Sequence, residues 1–346
     1  MGQGESSAGR LPSRCNAAAT TCATLVDMAS LQDEVVGREP ITGDGKSGSR
    51  VERLLLADGT CVVAKHVSPH GDWIMRRTDD AGRVARLWRD GIFDRVGNAV
   101  DHAIVSIEET DDGWLVVMRD VTDHLVHGRR LSRDESRRIV GAAAALHDEF
   151  RPDPPDGLCS LEARYTFTGP HGWAEPDTEV GRIVPKGWAA FADEVRGPTA
   201  DAVLALLDDP TPLVARLAAR EQTLVHGDLK LGNLALAPDR VTFLDWGTQT
   251  GRAPAEVEWA WYLAIGGNWI DARREDVLDD CRAASGEYHD EEALDLALLG
   301  AFVQLGWNKA LDAFTSPDPA HRASERADLD WWLATVDGVL DRHGVV

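Results

Sequence analysis

Residues 224–246 read L-V-H-G-D-L-K-L-G-N-L-A-L-A-P-D-R-V-T-F-L-D-W. Two short apolar runs, 234–237 and 241–244, flank the turn signal Ala237-Pro238-Asp239-Arg240, which predicts a β-hairpin. Folding the chain about that turn places Asn233 opposite Asp245. Directly opposed residues in an antiparallel pair share a face, with Cβ atoms about 5 Å apart. A carboxamide and a carboxylate at that separation suit a hard cation such as Mg²⁺, which prefers oxygen ligands and keeps several waters. Asp228 adds a third oxygen group just upstream. One carboxylate for an attacking hydroxyl and two ligands for a metal are the minimum equipment for phosphoryl transfer.

The spacing His226-Gly227-Asp228, Asn233, then Asp245-Trp246-Gly247 resembles the catalytic centre of the protein-kinase-like superfamily, in the form carried by its aminoglycoside phosphotransferase and choline kinase branch. The resemblance implies an α+β, bilobal fold, with a small antiparallel β-rich N-terminal lobe and a larger, mostly helical C-terminal lobe. It implies ATP and Mg²⁺ as cofactors. Asp228 would take or orient the proton of the substrate hydroxyl, Asn233 and Asp245 would hold the metal, and His226 would brace the loop. An ordinary carboxyl pKa of about 4 makes Asp228 a poor base for an alcohol, so positioning is its expected role. Lys230 stands where protein kinases carry a lysine near the γ-phosphate. A solvated loop lysine is the alternative.

Upstream, residues 42–49 read T-G-D-G-K-S-G-S, with glycines at Gly43, Gly45 and Gly48. A dinucleotide fold needs a helix directly after such a loop. Here residues 50–56 and 60–67 instead predict two strands joined by Asp58-Gly59, a hairpin signal. Glycines before an antiparallel hairpin fit a kinase phosphate-covering loop, with Gly45, Ser47, Gly48 and Ser49 near the phosphates. Lys65 lies on the second strand and is one of only five lysines in the chain. The resemblance makes it the lysine that pairs with the α- and β-phosphates; an edge-strand lysine reaching solvent is the alternative. Residues 72–90 predict one helix. The family places a glutamate there to pair with the strand lysine, and this segment has none, leaving Asp79 or Asp80 as substitutes. A second strand pair, 103–108 and 114–118, runs into Met118, Arg119 and Asp120, whose backbone the resemblance assigns to the adenine edge.

Helical spacing follows at 133–150, with Ile139, Ala142, Ala143 and Leu146 on one face and His147 near the end, where a core histidine is expected. Residues 151–187, rich in Pro and Gly, predict a long connection. Residues 188–220 return to helix with a break near Pro210. After Asp245 there is no long activation segment and no A-P-E triplet. A helix begins near Pro254, and the resemblance assigns Glu258, or Glu256, to tying the catalytic loop together. Residues 270–343 predict amphipathic helices whose Trp307, Trp331 and Trp332 serve either core packing or sugar stacking.

The chain has 346 residues, enough for two lobes with a core each. The organisation expected is a poorly ordered leader over 1–30, a nucleotide-binding lobe over 31–120 and a helical lobe over 121–346. Thirty-six basic against 58 acidic side chains give a formal charge of −22, which disfavours nucleic acid and attracts cations. No apolar run is long enough to span a bilayer. Five scattered cysteines argue against a disulfide framework and for a reducing cytoplasm, where ATP is available. The expected partner is a small hydroxyl-bearing acceptor, cationic by charge complementarity.

Overall fold

A computed structural model describes residues 33–41, 47–169 and 178–345. The leader expected over 1–30 lies outside the described residues. The N-terminal lobe is built on an antiparallel sheet of β1 (Val35–Pro40), β2 (Arg50–Leu56), β3 (Cys61–Val67), β4 (Ile104–Thr110) and β5 (Gly113–Arg119). The spatial order is β1-β2-β3-β5-β4. The Asp58-Gly59 turn closes β2 on β3, with Gly59 at φ +85° and Asp58 accepting the Thr60 N–H at 2.8 Å. Leu54, Leu56, Ala64, Leu115 and Val117 alternate onto one face and form a small core of their own.

The single helix expected over 72–90 is two helices, α1 (Trp73–Arg77) and α2 (Arg83–Arg89), followed by α3 (Ile92–Ala99). Asp79 causes the break by taking a left-handed φ of +48°. Asp80 then caps the restart, accepting the Gly82 N–H at 2.9 Å and the Arg83 N–H at 2.5 Å.

Helices dominate after β6 (Leu131–Ser132). The first is α4 (Arg133–Phe150), opened by a reciprocal capping box between Ser132 and Glu135. His147 on it is fully buried, as a core histidine. The segment 151–187 is not an unstructured connection: it contains α5 (Leu161–Thr166) and the start of α6 (Glu179–Glu194). Pro185 sits inside α6, so the proline that suggested a loop is absorbed by a helix whose apolar face is buried. Then come α7 (Pro198–Asp208) and α8 (Thr211–Ala218), separated at Asp209-Pro210.

Three short strands, β7 (Thr223–Val225), β8 (Leu234–Leu236) and β9 (Val241–Phe243), frame the 224–246 segment, and β10 (Gly251–Ala253) pairs with β7. Beyond it lie α9 (Ala255–Gly266), β11 (Ile270–Asp271), α10 (Arg274–Ser285), α11 (Glu291–Thr315) and α12 (Pro319–His343). Trp307 and Trp332 are buried and serve the core rather than a sugar ring. Trp331 is partly buried and donates its indole N–H to Glu275. No described helix is long and apolar enough to cross a membrane. The cysteines depart from expectation at one position: Cys61 is disulfide-bonded, while Cys159 and Cys281 are free and buried.

Candidate active site

The central hairpin forms one register away from the sequence expectation. Leu234 pairs with Phe243 and Leu236 with Val241, and Ala237 donates to Arg240 O at 3.1 Å, so only Pro238 and Asp239 form the loop. Asn233 therefore faces Leu244, whose N–H donates to Asn233 O at 2.8 Å. Asp245 is not opposite Asn233 but lies two residues past the strand. A left-handed φ of +64° turns the chain there. Asn233 and Asp245 nevertheless line the same cleft, together with Lys65, Gly232 and Leu244.

The loop from His226 to Asn233 is held by buried side chains. Glu258, in the first turn of α9, accepts the His226 N–H at 2.5 Å and the Gly227 N–H at 3.1 Å. Glu256, the other residue considered for this role, accepts the Asp290 N–H instead. The His226 ring donates from Nε2 to Leu244 O at 2.9 Å and accepts the Asp228 N–H on Nδ1 at 3.2 Å. Those two bonds require the neutral imidazole, and burial lowers the His226 pKa in the same direction. Gly227 has φ +83°, and a Cβ there would lie 1.9 Å from Gln249 O. Asp228 is 6% exposed, and its Oδ2 accepts from Lys230 Nζ at 2.8 Å and from Asn233 Nδ2 at 3.0 Å. Burial works to lower the Lys230 pKa, but the neighbouring Asp228 and Asp245 carboxylates override it and leave the pKa raised.

Lys65 on β3 pairs directly with Asp245. Neither Asp79 nor Asp80 is its partner, because Asp80 is committed to the α2 cap and to Arg83. The second carboxylate whose charge acts on Lys65 is Asp72. Asp72 caps α1 by accepting the Ile74 and Met75 N–H groups and also accepts the Ser49 hydroxyl at 2.9 Å. No helix carboxylate is paired with Lys65 among the described residues; Asp72, at the start of that segment, acts on it by charge only. Arg83 on α2 reaches across to the chain after Asp245, donating to Gly247 O at 3.0 Å and Thr248 O at 2.7 Å. Local sequence patterns carry no sign of this contact, since its acceptors are backbone carbonyls 164 and 165 residues away.

Burial works against the charge of Asp245, but the Lys65 and Lys230 ammonium groups override it and hold the carboxyl down at about 2. A carboxyl with a depressed folded-state pKa adds stability above its unfolded value of 3.8 and loses it as pH falls towards 2. Lys65→Met should shrink that acid-labile contribution. Urea unfolding at about pH 6 and about pH 3 provides the check. The stability drop between them should be smaller in the variant than in the parent, and equal drops contradict the pairing.

The cleft between the lobes has a volume of about 440 Å³ and is lined by Ser47, Ser49, Val51, Val63, Lys65, Met118, Arg119 and Leu125 among others. Gly45, expected in the phosphate loop, lies outside the described residues. The described part of that loop packs on the segment before α1: a Cβ at Gly48, which has φ +95°, would meet Gly71 O at 2.4 Å, and Trp73 donates to Ser47 O at 3.1 Å. At the other end, Arg119 does not offer its N–H to the cleft, because that group donates to Ala103 O at 2.9 Å. The Asp120 carboxylate turns to Arg53 at 2.7 Å and caps Thr122 at 3.0 Å. Met118 remains as a side-chain wall. Among the described residues no group of three or more His, Cys, Asp or Glu side chains could hold a metal.

Similar folds occur among solved structures. The choline kinase of Streptococcus pneumoniae superposes with a TM-score of 0.54 at 10% identity, covering 89% of this chain and 96% of that one. A spectinomycin phosphotransferase, solved with ADP and spectinomycin, superposes with a TM-score of 0.52 at 11% identity, covering 90% and 96%. At such identities the likeness establishes the kinase-like fold alone. No curated protein matches the sequence. The model of the phosphotransferase enzyme family matches residues 69–294, well over half the chain and the whole of the loop and hairpin over 226–245. The chain belongs to that phosphotransferase enzyme family.

Proposed function

We propose that this phosphotransferase transfers the γ-phosphate of ATP, in the presence of Mg²⁺, to a hydroxyl of a small aminated molecule such as an aminoglycoside or amino sugar. One observation carries the reading: Asp228, Lys230 and Asn233 are bonded to one another beside a cleft into which Lys65 and Asp245 also project. Lys230 and Asn233 both donate to Asp228 Oδ2, which leaves Oδ1 as the oxygen that orients the acceptor hydroxyl. The Asn233 amide nitrogen is committed to Asp228, so its carbonyl oxygen is the atom offered to a cation. With the Asp245 carboxylate it makes a two-residue oxygen donor set. That set fits Mg²⁺, which is commonly held by one or two protein groups, substrate phosphates and water rather than by an all-protein cage. When bound, the ion would neutralise charge on the phosphates. Lys65 and the Ser47–Ser49 backbone would position the phosphates, and Val51, Val63 and Met118 would enclose the base.

The acceptor is taken to be small because nine residues separate Asp245 from α9, too few for the long segment that docks protein substrates. It is taken to be cationic because the chain carries a formal charge of −22. A coupled ADP-release screen over aminoglycosides, amino sugars and amino alcohols tests the proposal. At least one acceptor should stimulate ADP release severalfold, and EDTA should abolish it. No Mg²⁺-dependent release with any acceptor would overturn the assignment.

A further inference from the structure

The grip on the catalytic loop has a member that no motif announces. Arg164, on α5, is 3% exposed and donates from Nη1 to Gly227 O at 2.7 Å. Its guanidinium carbon lies 5.0 Å from the centre of the Trp261 ring. Among the described residues its Nε and Nη2 have no hydrogen-bond partner. A buried guanidinium with unused donors is costly, and the one hydrogen bond it makes is to the carbonyl directly before Asp228.

That carbonyl belongs to the peptide unit joining Gly227 to Asp228. Arg164 holds the oxygen end of the unit, and the His226 ring holds its nitrogen end through the Asp228 N–H. Glu258 holds the Gly227 N–H on the far side. The plane of this unit sets where the Asp228 side chain leaves the backbone. Gly227 is also the residue whose missing Cβ makes room for the guanidinium, since a Cβ there would sit 3.0 Å from Arg164 Nη1. A carboxylate on one side and a guanidinium on the other thus clamp a glycine that has no side chain to steady it.

We infer that Arg164 is a positioning residue for phosphoryl transfer, holding the Gly227–Asp228 peptide plane so that the Asp228 carboxylate meets the acceptor hydroxyl. It is not among the residues that line the nucleotide cleft, and it acts through the backbone. The inference rests on the proposed kinase reading for its kinetic consequence and on the geometry alone for its structural one.

The experiment compares parent, Arg164→Ala and Arg164→Gln. Hydrogen–deuterium exchange of the apoprotein is read on the peptide covering residues 224–231, and ADP release is read with ATP and the best acceptor. Arg164→Ala should raise exchange in that peptide, leave exchange in β2 to β5 unchanged, and lower kcat by about 50-fold with KM for ATP within about twofold. Millimolar guanidinium ion should restore part of the lost kcat. Arg164→Gln, which keeps a donor of shorter reach, should fall between. Exchange in 224–231 equal to the parent overturns the inference whether or not the protein is a kinase. So does a kcat within about threefold of the parent, or a loss of kcat matched by equal losses in ATP affinity and thermal midpoint. A parent that releases no ADP while the exchange difference persists counts against the kinase reading and not against the clamp.

Discussion

Asp228→Asn is expected to lower turnover by about 10²- to 10⁴-fold, the range for removing a group that handles the reacting proton. The substitution keeps size and shape. The new carboxamide oxygen can still accept from Lys230 and from Asn233, the two donors that now meet Asp228 Oδ2. Its NH₂ replaces the oxygen that would face the acceptor hydroxyl, so the hydroxyl loses its acceptor while the loop keeps its shape. The KM for ATP should therefore stay within about threefold, because the cleft walls and the Lys65–Asp245 pair are untouched. Steady-state kinetics with the best acceptor decide the matter. A variant turning over at near-parental rate would remove Asp228 from the reaction.

Gly227→Ala should be the most disruptive added methyl among the described glycines. The backbone at φ +83° costs an L-residue about 1–2 kcal/mol. The added Cβ would also lie 1.9 Å from Gln249 O, a backbone atom with no rotamer to yield. Relief requires moving either the catalytic loop or the chain leading into β10, an overpacking cost of about 1–3 kcal/mol. The two together predict a loss of about 2–5 kcal/mol in urea unfolding, and activity should fall by at least about 10²-fold even where the protein is folded, because a displacement of about 1 Å at the catalytic loop suffices for that. A Gly227→Ala protein of parental stability and activity would show that the loop is not confined as described.

The fold and the residues of the cleft were legible where the signal is local. Asp58-Gly59 marks one hairpin and the strand pair 103–108 and 114–118 a second, and strands β2 to β5 form them. The spacing from His226 to Asp245 located a loop and hairpin that the chain does form. What local patterns could not carry was register and long-range contact. Whether Pro238-Asp239 or a three-residue loop closes the hairpin shifts Asn233 by one position. The observed choice sets it against Leu244 and leaves Asp245 to be aimed by its own left-handed turn. The carboxylate beside Lys65 is neither Asp79 nor Asp80, where the helix breaks, but Asp245, with Asp72 adding its charge from the α1 cap. Arg83 and Arg164 left no mark because their acceptors are main-chain carbonyls, which are the same whatever the residue.

The central claim is that Asn233, Asp245 and Lys65 together receive a nucleotide with its metal. Calorimetric titration with a non-hydrolysable ATP analogue, with and without Mg²⁺, tests it most directly in parent and Asp245→Asn. The parent should bind at least about tenfold more tightly with Mg²⁺ than without, and the variant should lose most of that difference. Equal affinities for the parent in the two conditions, or a Mg²⁺ effect undiminished in Asp245→Asn, would contradict the account.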